Sequence, residues 1–176
     1  MKQINRRVIL RKRNRLSKEE IIEKSKIIKE KLFSSEDYKK AKTVMFYVSF
    51  GSEVDTFDMI KESLKNKTVC VPIVEDLIIV PSIIKSIKEL DRKNKYGILE
   101  PLKIKRIKKE DIDLVIVPGV VFDKRNHRIG YGKGYYDSFL KDFKGKTIGL
   151  VFKMQILEMI PNYRWDVKLD KVISEI

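Results

Sequence analysis

Ten consecutive residues, Arg128-Ile129-Gly130-Tyr131-Gly132-Lys133-Gly134-Tyr135-Tyr136-Asp137, combine cations, alternating glycines, tyrosines and a carboxylate. Main-chain N–H groups at the glycines can approach a ligand where a Cβ would stand in the way. Arg128 and Lys133 are suited to neutralising phosphoryl oxygens. Asp137 offers the hard oxygen that a magnesium ion prefers. The chemistry this favours is capture of a nucleotide phosphate together with its metal. The glycines alone serve equally well as a tight turn into a helix, and the cations and carboxylate tip the reading toward a ligand. The spacing is neither the G-x-x-x-x-G-K-[ST] phosphate loop nor the G-x-G-x-x-G dinucleotide fingerprint. Tyr135 and Tyr136 fall on different sides of a helix start, so one is expected to line the loop and the other to pack inward.

Other reactive residue types are scarce. His127, the single histidine, sits between Asn126 and Arg128 in a polar stretch with no apparent orienting carboxylate, which reads as a solvated loop residue. Cys70, the single cysteine, lies within Thr68-Val-Cys-Val-Pro72 and reads as a small core residue. It has no internal disulfide partner, which fits the reducing cytoplasm. Glu53-Val-Asp-Thr56 allows two readings that both remain open. Asp55 or Thr56 caps a helix, or a carboxylate stands at the end of a strand, where open α/β sheets bind ligands. A carboxylate there would accept paired hydrogen bonds from an amidine-like edge, with Phe50 supplying a flat apolar contact.

The elements that must carry these groups alternate between helix and strand. Lys2 to Leu16 is strongly basic and helical in character, and Ser17-Lys-Glu-Glu20 is a capping box that opens a second helix. Ile21, Ile22, Ser25, Ile28 and Leu32 repeat at helical spacing along it. Apolar runs predict strands at 43–49, 69–74, 77–80, 114–118, 147–152 and 171–174, with the second and third paired around Glu75-Asp76. Helices are expected at 56–65 and, after the glycines, at 132–143. Asn94-Lys-Tyr-Gly97 and Glu100-Pro101 argue for turns in 87–110 rather than a long element. The pattern implies an α/β fold, layered about a largely parallel sheet, in one domain spanning residues 1–176.

With 39 Lys and Arg against 25 Asp and Glu, the 176-residue chain carries a formal charge of +14. Such an excess favours polyanionic partners, whereas cations spread along a whole chain also suit a merely charged surface. No apolar run approaches a membrane span, and the basic start is not followed by an apolar core of the secretory kind. No array of aromatics amid cations marks a single-stranded nucleic-acid platform. A sugar-phosphate isomerase or acyl-transferase on a similar scaffold fits the loop less well than a metal-bound nucleotide does.

The ordered motifs resemble the 5-formyltetrahydrofolate cyclo-ligase family. They comprise the basic start with Leu16-Ser17, Tyr47-Val-Ser, Glu53-Val-Asp-Thr56, Val71-Pro72, Gly97-Ile-Leu-Glu-Pro101, Val117-Pro-Gly-Val-Val-Phe-Asp123 and Arg128 through Asp137. The resemblance implies a three-layer α/β/α sandwich and an enzyme that uses ATP and magnesium to close 5-formyltetrahydrofolate into 5,10-methenyltetrahydrofolate. It implies ATP contacts at Lys2, Gln3, Ile4, Asn5 and Arg6, and at Arg128, Ile129, Gly130, Tyr131, Gly132, Lys133, Gly134, Tyr135 and Tyr136. Among these, Lys133, Arg128 and Tyr136 are the expected catalytic residues. Folate contacts are implied at Phe50, Glu53 and Asp55, and at Tyr131, Gly132, Lys133, Gly134 and Tyr135; magnesium contacts are implied at Asp137 and Asp166. The expected partners are ATP and 5-formyltetrahydrofolate, with or without extra glutamates, bound by a cytoplasmic monomer that engages neither nucleic acid nor membrane. The family usually carries histidine before the late aspartate, where this chain reads Arg164-Trp165-Asp166.

Overall fold

The computed structural model describes residues 1–176. Its centre is a six-stranded sheet built on β1 (Thr43–Met45) and β2 (Thr68–Glu75), which run parallel. Beyond β2 lies the antiparallel edge strand β3 (Ile78–Ile84), joined to it by a turn at Asp76 and Leu77, both at positive φ. On the other side of β1 come β6 (Leu114–Val117), β9 (Lys146–Leu150) and β11 (Lys171–Ile173), all parallel. Every strand position expected from the apolar runs is occupied, usually with shorter limits.

Side chains alternate across this sheet as a period of two requires. Val44 and Phe46 face one layer while Met45 faces the other; Leu114 and Ile116 likewise oppose Val115 and Val117. The first layer is formed by α2 (Lys18–Ser34), α3 (Glu36–Lys40) and α4 (Phe57–Ser63). The capping box of α2 is complete, with Ser17 Oγ accepting from Glu20 N–H at 3.1 Å and Glu20 Oε2 accepting from Ser17 N–H at 2.8 Å. Ile28 and Leu32 of α2 are fully buried, each burial stabilising the fold by about 1.5–3 kcal/mol. Ser25 interrupts that stripe for a reason: its Oγ accepts the N–H of Asp55 at 2.9 Å. Ile22, by contrast, is 63% exposed, because the buried face of α2 is narrower than its apolar pattern.

The opposite layer holds α5 (Tyr135–Leu140), α1 (Lys2–Arg13) and a small sheet of β7 (Val121–Asp123), β8 (Arg128–Ile129) and β10 (Ile156–Leu157). The architecture is thus the expected α/β arrangement around a largely parallel sheet. Three details differ from the sequence reading. The small sheet was not anticipated, because its strands are too short to show a period. The 87–110 region contains a hairpin, β4 (Leu90–Lys93) with β5 (Leu99–Pro101). And α5 begins at Tyr135 rather than 132, since Gly132 and Gly134 sit at φ +102 and +74, which a right-handed helix does not admit. No helix is long and apolar enough to cross a membrane.

Candidate functional site

Beyond the carboxyl ends of β1 and β6 opens a cleft of about 510 Å³ with largely aromatic and aliphatic walls. Three segments converge on it. The chain leaving β1 delivers Tyr47, Phe50 and Glu53; the β4–β5 hairpin delivers Tyr96 and Ile98; the loop from Arg128 to Asp137 closes the third side. Loops at the carboxyl edge of a parallel sheet are where such folds place ligands.

Glu53 is 6% exposed. Its Oε2 accepts the N–H of Phe50 at 3.0 Å and its Oε1 accepts the hydroxyl of Tyr131 at 2.8 Å. Burial pushes its pKa up, and these two bonds together with the charge of Arg13 pull against that shift. The ring of Phe50 lies 5.7 Å from that of Tyr131. Asp55 has a different place: its Oδ1 accepts the N–H of Phe57 at 2.9 Å and the hydroxyl of Ser49 at 3.3 Å, so it steadies the start of α4 from just before its N-cap, Thr56, and does not line the cleft. Of the two acids, only Glu53 borders the cleft.

Arg128 emerges from β8 with its side chain 4% exposed, and its Nη2 reaches Asp137 Oδ1 at 3.3 Å. Burial pulls its pKa down, opposed chiefly by the Asp137 charge. Its Nε is buried with no hydrogen-bond partner. A buried charged donor left unpaired is costly, and it marks a position where an anionic oxygen would be welcome. Lys133 lines the cleft and forms no ion pair or hydrogen bond within the chain. Asp137 Oδ1 also accepts the N–H of Val167 at 3.1 Å, leaving Oδ2 uncommitted.

The N-terminal helix packs along the outside of this loop. Arg6 Nε donates to the carbonyl of Gly130 at 2.8 Å, and Lys2 pairs with Asp166. Gln3 and Ile4 face solvent, Asn5 is half-buried, and none of the three side chains bonds to the loop. Asp166 Oδ2 also accepts the N–H of Tyr163 at 2.6 Å, while Trp165 is exposed and stacks on Tyr163 at 4.9 Å. No group of three or more His, Cys, Asp or Glu side chains is arranged to hold a metal alone. Asp137, with Oδ2 uncommitted, and Asp166 offer carboxylate oxygens, the donor type magnesium takes when phosphates and water complete its shell.

One sequence expectation is refined and one needs correction. Tyr135 and Tyr136 both border the cleft, with Tyr135 meeting Tyr96 at its rim and Tyr136 also packing inward against both layers of the core. His127 is not a solvated residue without a carboxylate: its side chain is 15% exposed, and its Nδ1 lies 3.4 Å from the buried Asp123. The carboxylate four residues earlier was present in the sequence, but the β7–β8 hairpin that brings the two together was not recognised. Cys70 is buried as expected, its thiol pushed up to about 12 by burial.

Two contributors went unnoticed. Tyr96 donates to or accepts from Tyr135 at 2.6 Å between hydroxyls, closing the hairpin over the cleft. Arg13, 3% exposed, sends Nη2 to Tyr131 Oη at 2.8 Å and Nε to Ser52 Oγ at 3.0 Å. Its signal was available, since Lys2, Arg6, Ile9 and Arg13 recur at i, i+4, i+7 and i+11 on one helix face.

Fold and site together define an α/β sandwich protein whose cleft sets an anion-seeking loop beside an aromatic pocket with a buried acid. Residues 1–175 match the 5-formyltetrahydrofolate cyclo-ligase family, and the chain belongs to it. A mouse 5-formyltetrahydrofolate cyclo-ligase is 32% identical over 91% of this chain and 86% of its own length. The NMR structure of Aquifex aeolicus 5,10-methenyltetrahydrofolate synthetase superposes with a TM-score of 0.89 at 37% identity, covering 99% of this chain and 89% of that one. A Mycoplasma pneumoniae 5,10-methenyltetrahydrofolate synthetase gives 0.82 at 27% identity, covering 99% of both. Family and structural relatives together support 5,10-methenyltetrahydrofolate synthetase activity.

Proposed function

We propose that this chain uses ATP and magnesium to convert 5-formyltetrahydrofolate into 5,10-methenyltetrahydrofolate, releasing ADP and phosphate. The observation that carries the reading is the buried, unpaired Nε of Arg128 at the root of a glycine loop that borders the aromatic cleft. Formyl oxygen is a poor leaving group, so it first attacks the γ-phosphorus of ATP, and ADP departs. N10 then attacks the activated carbon and loses its proton, phosphate leaves, and the N5–C–N10 ring closes. No protein nucleophile is needed, so the residues work by positioning and charge stabilisation.

In this scheme Arg128 and Lys133 stabilise charge on the transferred phosphoryl group, with the main chain of 129–134 cradling the phosphates. Lys2 and Arg6 brace the loop from outside and meet the nucleotide there. Tyr136, whose ring lies 5.6 Å from the Arg128 guanidinium, holds that cation over the reacting centre. Glu53 accepts the N–H edge of the pterin while Phe50, Tyr131 and Tyr135 enclose its rings. Asp137 and Asp166 would hold the magnesium ion, which when bound would offset phosphate charge. Asp55 serves the folate side by steadying the start of α4 beside Phe50 and Glu53. The enzyme works as a monomer in this scheme, and a buried lone thiol suits the cytoplasm.

The decisive assay mixes purified protein, ATP, magnesium and 5-formyltetrahydrofolate and follows the near-ultraviolet absorbance of the methenyl product. Absorbance should rise only when all three additions are present. A folded protein that gives no rise beside an active control ends the proposal.

A further inference from the structure

Arg13 is the most deeply buried cation in α1, and it joins segments that are far apart in sequence. Its Nη2 donates to Tyr131 Oη at 2.8 Å; its Nε donates to Ser52 Oγ at 3.0 Å; its Nη1 lies 3.5 Å from the carbonyl of Gly119. The same phenol donates onward to Glu53 Oε1 at 2.8 Å, while Glu53 Oε2 is held by Phe50 N–H. A guanidinium, a phenol and a buried carboxylate thus stand in a row, with every donor and acceptor directed one way. The guanidinium can only donate, so Tyr131 must accept from it and turn its own proton toward Glu53. Such a chain fixes the hydroxyl rotor as well as the ring. It also supplies the positive charge nearest to an acid otherwise surrounded by Tyr47, Tyr131 and Tyr136.

We infer that Arg13 is a positioning residue for the folate side of the reaction: through Tyr131 it orients Glu53 and locks the glycine loop to the 50–53 turn. The inference rests on the function proposed above and assigns Arg13 no contact with either substrate. Its neighbours on the same helix face, Lys2 and Arg6, brace the other end of the loop, so α1 acts as a splint with separate grips on the two halves of the site.

The test uses the full chain with Arg13→Met, Arg13→Lys, Tyr131→Phe and the Arg13→Met/Tyr131→Phe double variant. Thermal midpoint, kcat, and KM for each substrate are measured for all of them. Arg13→Met should raise the KM for 5-formyltetrahydrofolate roughly ten- to hundredfold, the scale of a lost charge-assisted hydrogen bond, with the KM for ATP held within about threefold. Arg13→Lys should recover most of that loss. The double variant should be no worse than the poorer single one, since both changes cut one chain. Losses that multiply, an unchanged folate KM, or a decline that only tracks the thermal midpoint would each overturn the inference. Wild-type protein that makes no methenyl product overturns the proposed function itself, and this inference with it; wild-type activity with an indifferent Arg13→Met overturns the inference alone.

Discussion

The two ends of the central sheet hold cations in opposite ways. At the amino end, Lys39, Lys40, Lys42, Lys65 and Lys67 line an open groove of about 680 Å³. Four of them are exposed, and the fifth donates from Nζ to the carbonyl of Ala41 at 2.6 Å, just beyond the end of α3. That is the ordinary duty of lysine at a helix C-terminus. At the carboxyl end the cleft holds Arg128, with Arg13 beneath it, both nearly inaccessible and set against Asp137 and Tyr131. Lysines crowd the amino end, whereas at the carboxyl end Glu53, Glu100 and Asp137 stand among the cations, and there the fold has taken Arg128 and Arg13 out of water while Lys133 stays exposed. The proposed site draws chiefly on the desolvated charges, where Coulombic interactions are strong, and not on the place where lysines are most numerous.

The largest expected effect comes from breaking the second arrangement at Asp137. Asp137→Asn keeps an acceptor for Val167 N–H but weakens both the metal site and the partner of Arg128. Turnover should fall roughly a thousandfold, as for removal of a preorganised charge-stabilising group. Far-UV circular dichroism should be unchanged. Asp137→Ala should lose stability as well, because a buried guanidinium is stranded and an amide goes unpaired. If Asp137→Asn keeps the wild-type rate at limiting magnesium, the metal assignment is wrong.

Lys133→Ala sharpens the contrast from within the cleft. Lys133 has no partner in the chain, so its loss should leave the melting temperature unmoved. The KM for ATP should rise about tenfold, the typical worth of one phosphate-facing cation. Equal ATP dependence in the two proteins would make Lys133 another surface lysine, like those at the far end.

Glu53 gives a pH-dependent version of the same contrast. Burial holds its folded-state pKa above the ordinary glutamate value of 4.5. Between that value and the raised one, the folded chain keeps a proton that the unfolded chain has released, so stability falls as pH rises through the window. Glu53→Gln lacks this step. Its thermal midpoint should therefore gain on wild type as pH is raised above 4.5, by an amount read from parallel melts. Activity should run the other way: wild-type kcat/KM for folate climbs over the window as the carboxylate forms, while the variant stays low. Parallel stability curves for the two proteins would show that Glu53 is not desolvated in solution.

These contrasts explain what could be read directly from the chain. The glycine loop, Arg128, Lys133 and Asp137 lie close together in sequence, so their gathering at one edge of the cleft was legible there. Strands such as 114–118 announced themselves because both faces are buried and the run is uniformly apolar. That Glu53 borders the cleft and Asp55 steadies α4 was not legible, since capping and ligand binding ask for the same residue types. Arg13 and His127 were hidden for a related reason: each is defined by a partner, Tyr131 or Asp123, that a tertiary or hairpin contact supplies. The α2 stripe was over-read at Ile22 because period alone does not tell how wide a buried face is.

The smallest expected effect completes the comparison at the amino end. Replacing Lys39, Lys40, Lys42 and Lys65 together with glutamine removes exposed charge and spares Lys67, whose Nζ holds the Ala41 carbonyl. Surface changes of this sort shift stability by less than about 0.5 kcal/mol apiece. Both KM values should stay within about twofold at ordinary salt, because exposed charges farther from the cleft than a screening length of roughly 8–10 Å act on it weakly. Lowering the ionic strength is the informative arm. If the quadruple variant then captures ATP much more slowly than wild type, the dispersed charge steers anionic substrates toward the cleft. The two ends of the sheet would then cooperate, and the line drawn here between decorative and functional cations would have to move. If the rates remain equal at low salt, that line stands where burial puts it.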